Sequence, residues 1–309
     1  MYHRFLLIIL IVFFPVSTKG WGFFAHQRIN RLAVFLLPPE MMVLYKPQLE
    51  YLSSHATDAD KRRYIVAAEG PRHYIDLDHY KPNDLPRKWI YAVTKFGEDT
   101  LNAYGILPWH ISVMMERLTK AFMERDTKQI LKLSADLGHY IADAHVPLHA
   151  CSNHNGQFTG QQGIHGLWES RIPELLADQT FNYFAGKAVY IKDIAATTWQ
   201  IVTESAMAAD TVLRKERMLQ VPPDQRYAWE NRNGKLVRTY STVYTRAYQA
   251  SLGDMVERRM TGAMHMIASY WYTAWVNAGM PPLDKINARI FLKERELPVK
   301  DKMIGRQED

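Results

Sequence analysis

Five metal-binding side chains, His139, Asp143, His149, His165 and Glu169, fall within LGHYIADAHVPLHACSNHNGQFTGQQGIHGLWES, a stretch otherwise patterned as buried helix and loop. Any fold that buries this stretch must satisfy five polar groups together, because each costs free energy when taken out of water unpaired. Imidazole nitrogen and carboxylate oxygen are donors that zinc favours. His139 and Asp143 are four residues apart, which puts both on one helix face, and His165 and Glu169 repeat the spacing. A single histidine on a half-buried helix is usually just hydrogen-bonded. For the five-residue set, the chain's own residue frequencies give on the order of one chance occurrence per ten thousand such chains.

The pattern around the set is helical. Ala25, Ile29, Leu32, Ala33 and Leu36 recur at helix spacing until Pro38 and Pro39 end the segment. Pro108 is placed to open a helix with the apolar stripe Ile111, Met114, Met115, Leu118 and Phe122. The next helix starts near Asp126 or Thr127 and carries Ile130, Leu133, Leu137, Ile141 and Ala144 on its core face. Pro147 ends or kinks it, so His149 need not follow the register of His139 and Asp143. Residues 150–163, rich in Gly, Asn and Gln, read as an exposed loop rimming the site. Long helical patterns cover about Ile194 to Leu219 and about Ser241 to Ala278, with a loop or short hairpin between them at Asn233 and Gly234. The aromatic stripe of the last pattern reads as core. These segments predict one all-α, multi-helix domain over residues 21–280, followed by a charged tail, 281–309.

The first twenty residues, MYHRFLLIILIVFFPVSTKG, have a basic start at Arg4, an apolar run from Phe5 to Val16 and small residues at Thr18 and Gly20. They predict a signal peptide cleaved before Trp21 and an exported protein, periplasmic or secreted; an uncleaved anchor is the alternative. The apolar run is short for a membrane span. Cleavage would make Trp21 the new terminus, and its α-amine a nitrogen donor once a metal lowers the pKa at which it deprotonates. Cys151 is the only cysteine, so the fold stands without disulfides, and a lone cysteine reads as a small buried hydrophobe. Without the leader, 36 basic residues face 32 acidic ones. That balance suits an anionic substrate but does not separate nucleic acid from anionic lipid.

Trp21, His26, an Asp ahead of RHYID, the HYIAD helix, PLH and HGLWE together resemble the superfamily of zinc-dependent bacterial phospholipases C and single-strand-specific nucleases. The resemblance runs from Trp21 to about Glu169, with a looser fit of the helical remainder. It implies an all-helical domain with three zinc ions at the base of a cleft. Carried over residue by residue, it implies that His73, His139, Asp143 and an upstream Asp hold one zinc. Trp21, His26 and Asp143 would hold the second, and His149, His165 and Glu169 the third. The upstream Asp is Asp60, with Asp58 as the alternative. Two close divalent ions lower the pKa of a shared water towards neutrality. Asp60 and Asp143 would serve that chemistry, and Arg63 would clamp a phosphate oxygen.

Substrate choice is less constrained. Tyr74 would stack on a base, and Asp76 would accept from its exocyclic amine or orient a ligand. The phospholipase branch has a similar pair. Choline-preferring members have an acid where this chain has Phe24, and the fungal and plant nucleases lean on disulfides that this chain lacks. His145 is a candidate to support a ligand, and Asp78 and His79 to edge the cleft. His55, His110, His154 and His265 read as surface or core groups. The expected function is an exported zinc-dependent phosphoesterase acting on a phospholipid headgroup or on single-stranded nucleic acid. The alternative is a secreted binding protein with purely structural zinc. A three-ligand set with an open position favours the enzyme. No protein partner is expected, and contact with a membrane surface is compatible with this reading.

Overall fold

Asp126 accepts a hydrogen bond from the Gln129 backbone at 3.1 Å and so caps the Thr127–Ala144 helix, around which the fold is built. In its second half, every residue from Ser134 to Ala144 is buried. A helix buried all round must satisfy its polar groups inside the protein. Ser134 therefore meets the Tyr45 hydroxyl at 2.8 Å, and Asp136 takes Arg62 at 2.9 Å. His139 and Asp143 are left facing one another one turn apart, at 3.2 Å.

The computed structural model describes residues 22–81, 84–232 and 234–284. The expected leader, Trp21 and the tail beyond residue 284 lie outside them. The Thr127–Ala144 helix packs against the Leu107–Glu124, Phe23–Ala33 and Met255–Asn277 helices. Pro108 lies in the first turn of the Leu107–Glu124 helix, where its missing N–H costs nothing. The Ile194–Arg217 helix covers the Pro147–Ala150 turn that carries His149. One continuous set of buried apolar side chains runs from Ala25 to Leu283. Among the described residues the architecture is all-α apart from one antiparallel hairpin, Tyr227–Arg232 with Lys235–Tyr240. No helix among the described residues is long and apolar enough to cross a membrane.

The structure departs from the sequence reading in three places. The pattern from Ser241 to Ala278 is two helices, Thr242–Leu252 and Met255–Asn277, broken where Gly253 takes φ +64°. Periodicity persists across the break, which hid it. Residues 151–163 form the loop but are only partly exposed: Gln161 is buried and bonds the Leu213 carbonyl at 2.8 Å and Glu216 at 2.5 Å, while Ser152 bonds Asp78. The segment holding His165 and Glu169 is not a plain α-helix, since Leu167–Arg171 is π-helical.

Candidate metal centre

Asp60 comes from the short Asp58–Arg62 helix and His73 from the end of the Ala67–His73 3-10 segment, while His139 and Asp143 lie on successive turns of the Thr127–Ala144 helix. His73 Nδ1 is 3.0 Å from His139 Nε2 and 2.9 Å from Asp143 Oδ2. Asp60 Oδ1 lies 3.7 Å from His139 Nε2 and 3.9 Å from His73 Nδ1. The protein sets one of these ring tautomers directly. His139 Nδ1 is 2.8 Å from the Ala56 carbonyl, which can only accept, so Nδ1 carries a hydrogen and Nε2 is the nitrogen that faces the cluster.

Asp143 also serves the other side: His26 Nε2 is 3.3 Å from its Oδ1, and the His26 and His139 rings stack with centroids 3.9 Å apart. Gly138 permits this approach. A Cβ there would overlap Asn30 Oδ1 and sit 2.9 Å from Asn30 Cγ, and the Asn30 amide donates to the His26 carbonyl at 3.1 Å. Trp21 lies outside the described residues. Its neighbour Gly22 donates its backbone N–H to the Glu169 carbonyl at 3.3 Å, which ties the start of the Phe23–Ala33 helix to the third group of donors.

In that third group, Glu169 Oε2 lies 3.0 Å from His165 Nε2 and 3.4 Å from His149 Nε2. His149 Nδ1 donates to the His73 carbonyl at 2.6 Å, which orients the ring and links this group to the first. The π-helical turn leaves His165 and Glu169 on one side of the segment, as α spacing also would; such turns recur at functional sites.

The donors fit divalent cations. Both nitrogens of His26 and of His165, Asp60 Oδ2, Asp143 Oδ1 and Glu169 Oε2 are buried and make no hydrogen bond. An unsatisfied buried polar group costs about 1–3 kcal/mol, so this many at one place calls for a common partner. A tetrahedral ion with bonds of about 2.0–2.1 Å separates its donors by roughly 3.3 Å, within the spread of the distances above. Three groups of buried donors lie close enough to share an ion: His26, His139 and Asp143; Asp60, His73 and His139; and His149, His165 and Glu169.

Charge follows the same geometry. Burial opposes ionisation of Asp143, but the neighbouring His139 and His149 outweigh it and hold its carboxyl well below the usual range. Burial alone would lower His139, yet the Asp143 and Asp60 carboxylates hold it up at about 9. Burial, together with the charge of His139, pushes His26 down. Metal binding must displace the proton that His139 otherwise holds.

Asp58, the alternative to Asp60, stands apart. It pairs with His55 at 2.5 Å and Lys61 at 2.7 Å, on a more exposed face. Arg63 is buried beside Asp60, 4.0 Å from its Oδ1, rather than lying on the surface. Tyr74 is fully buried with its hydroxyl on the Ala103 carbonyl at 3.1 Å, so neither ring face is open to a base in this conformation. Asp76 is also buried, its backbone N–H on the Tyr104 carbonyl. His145 bonds the Ile141 carbonyl at 2.7 Å and its ring faces Gly262, so it supports the last helix, not a donor. Asp78 accepts from the backbone and hydroxyl of Ser152, and His79 stacks on Tyr104.

Sequence reasoning missed Glu69. It is fully buried, takes Arg72 at 2.6 Å, Arg62 at 3.3 Å and the Tyr140 hydroxyl, and lies 3.7 Å from His73 Nε2. Burial would raise its carboxyl, but His73 and Arg62 hold it well below its usual range. Its place four residues before His73 was the available signal.

No family model matches the chain, and no curated protein matches it. The fold is similar to that of clostridial alpha-toxins. Against the alpha-toxin of an avian strain of Clostridium perfringens the TM-score is 0.49 at 13% identity, covering 84% of this chain and 65% of that one. Against the alpha-toxin of Clostridium absonum it is 0.46 at 12% identity, covering 83% and 64%. This chain thus spans slightly less than two thirds of the length of either.

Proposed function

We propose that the protein is an exported zinc-dependent phosphoesterase that hydrolyses phosphodiester bonds, of the type its motifs resemble. The observation that carries this reading is the convergence of buried histidine and carboxylate donors, several of whose atoms make no hydrogen bond, into three adjoining groups. Asp60, His73, His139 and Asp143 would hold one ion, His26, Asp143 and the freed terminus of Trp21 the second, and His149, His165 and Glu169 the third. Asp143 suits a shared role because its two oxygens face different imidazoles. Bound zinc supplies an acidified water and neutralises phosphate charge.

The chain's own groups do the rest. Asp60 Oδ2 makes no hydrogen bond and would take a proton at the cluster. Arg63 brings a buried positive charge beside Asp60 for a phosphate oxygen. His149, His165 and Glu169 are three donors, which leaves a position for substrate.

Two features favour a phospholipid over a nucleotide. Tyr74 offers no open face for stacking. A cavity of about 620 Å³ that reaches Ala150 and Cys151 is walled by Leu77, Tyr80, Leu85, Trp199 and Met207, with Asp78, Lys81, Arg87 and Thr203 among them. Such a wall suits an apolar leaving group.

The test is to load the purified protein with zinc, count the metal, and offer micelles of a choline and of a non-choline phospholipid, a short single-stranded oligonucleotide and a nucleoside 3′-monophosphate side by side. Three zincs per chain and fastest turnover of the lipid are expected. A fully metallated sample that hydrolyses none of them overturns the reading.

A further inference from the structure

Beyond Glu69, on the far side of His73 from the metal donors, a cavity of about 440 Å³ opens between the Leu107–Glu124 and Thr127–Ala144 helices. Arg62, Arg72, Arg117, Lys120 and Lys132 line it. Three carboxylates answer them: Asp136 and Glu124 in the lining, and Glu69 behind it. Five cations against three anions leave a surplus of two positive charges. Arg62 is committed to Asp136 and Glu69, Arg72 to Glu69, and Lys120 faces Glu124 at 3.7 Å. Arg117 and Lys132 make no ion pair among the described residues.

One further lining group points to a ligand. His110 is only 8% exposed, its Nε2 makes no hydrogen bond, and its ring meets Tyr140 edge-on with centroids 4.5 Å apart. Burial, and the nearby charge of Arg72, push it down to about 3, so the ring is neutral at physiological pH and has one N–H to give. A buried imidazole beside cations of which Arg117 and Lys132 make no ion pair among the described residues suits an anion that also accepts hydrogen bonds.

We infer that this cavity binds a phosphate monoester, at a site separate from the metal cluster. A monoester carries roughly −1.5 to −2 charge near pH 7, which matches the surplus. Two of its oxygens can accept together from the planar Arg117 fork, and the others from the Lys132 ammonium and the His110 ring. The cavity is larger than phosphate alone needs, so the ester's organic group has room inside. The ligand would share Arg62 and Arg72 with Glu69, one carboxylate away from His73. The inference goes beyond the proposed hydrolysis and does not require it.

Isothermal titration of the zinc-loaded protein tests it, with inorganic phosphate, glycerol 3-phosphate and phosphatidate-bearing vesicles as separate probes. The reference is the Arg117→Gln, Lys132→Gln double variant. Both residues are exposed, so an unchanged melting midpoint without ligand should show that the variant folds. The wild type is expected to show two binding events with at least one of the phosphomonoester probes, glycerol 3-phosphate or the vesicles. One event should weaken at least tenfold in the variant and with added salt, while the event at the metals persists. Response to glycerol 3-phosphate identifies a soluble ester, and response to the vesicles alone identifies a lipid headgroup; either supports the site. Binding curves that are the same in wild type and variant for every probe overturn it. Because binding is read as heat, an inactive enzyme leaves the test intact.

Discussion

Glu69 Oε1 lies 3.7 Å from Nε2 of His73, at the opposite edge of the ring from Asp143. The carboxylate thereby favours the tautomer that leaves the His73 Nδ1 lone pair for a cation, and Arg62, Arg72 and Tyr140 hold the carboxylate in turn. A metal donor is thus steered by a residue that no motif names.

Glu69→Gln keeps the shape and removes the charge. Zinc affinity should fall about 10–100-fold. Glu69→Ala should in addition lose about 3–5 kcal/mol of stability, because two arginines are left beside a buried void. Competition with a chromogenic chelator and urea unfolding read the two effects; unchanged zinc affinity in Glu69→Gln would remove the steering role.

Asp143→Asn should release two zinc ions, because its oxygens face His26 on one side and His73 and His139 on the other. Glu169→Gln, which touches only the third group, should release one. Atomic absorption on dialysed protein gives the counts, and loss of a single ion from Asp143→Asn would show that it does not bridge.

Gly138→Ala sets two effects against each other. Alanine is the better helix former by about 1 kcal/mol. The added methyl group would, however, collide with Asn30 inside a packed core, at a cost of about 1–3 kcal/mol. The net outcome expected is destabilisation, with weaker zinc binding as His26 and His139 are pushed apart. A variant more stable than wild type in chemical denaturation would contradict the close approach of the two helices.

His110 makes stability depend on pH. Its folded value, about 3, lies below the ordinary histidine value of 6.5, so the unfolded chain binds the proton more readily. Its contribution is complete above about pH 6.5 and is lost as pH falls towards 3. Between pH 7.5 and pH 5 the loss is about 2 kcal/mol. His110→Gln should therefore be less sensitive to this acid step than wild type in urea unfolding; equal sensitivity would rule the ring out as its source.

The helices were legible because their apolar residues recur with the helical period and because Pro108, Asp126 and Pro147 mark their ends. The break at Gly253 was not, since the stripe continues on both sides of a residue whose unusual φ leaves no mark in composition. The pairs His139 with Asp143 and His165 with Glu169 were legible as local spacing. The preference for Asp60 over Asp58 came from the resemblance; which face of that five-residue helix turns towards His73 shows only in the structure.

Sequence alone determined which donors exist and that most of the described chain is helical, because periodicity and four-residue spacing act over a single turn. Only the tertiary structure decided that Asp143 turns an oxygen each way, that Glu69 backs His73, and that five cations surround a cavity behind it. Those relations join segments far apart in the chain. Long-range packing and the need to satisfy buried charge set them, and neither leaves a local pattern to read.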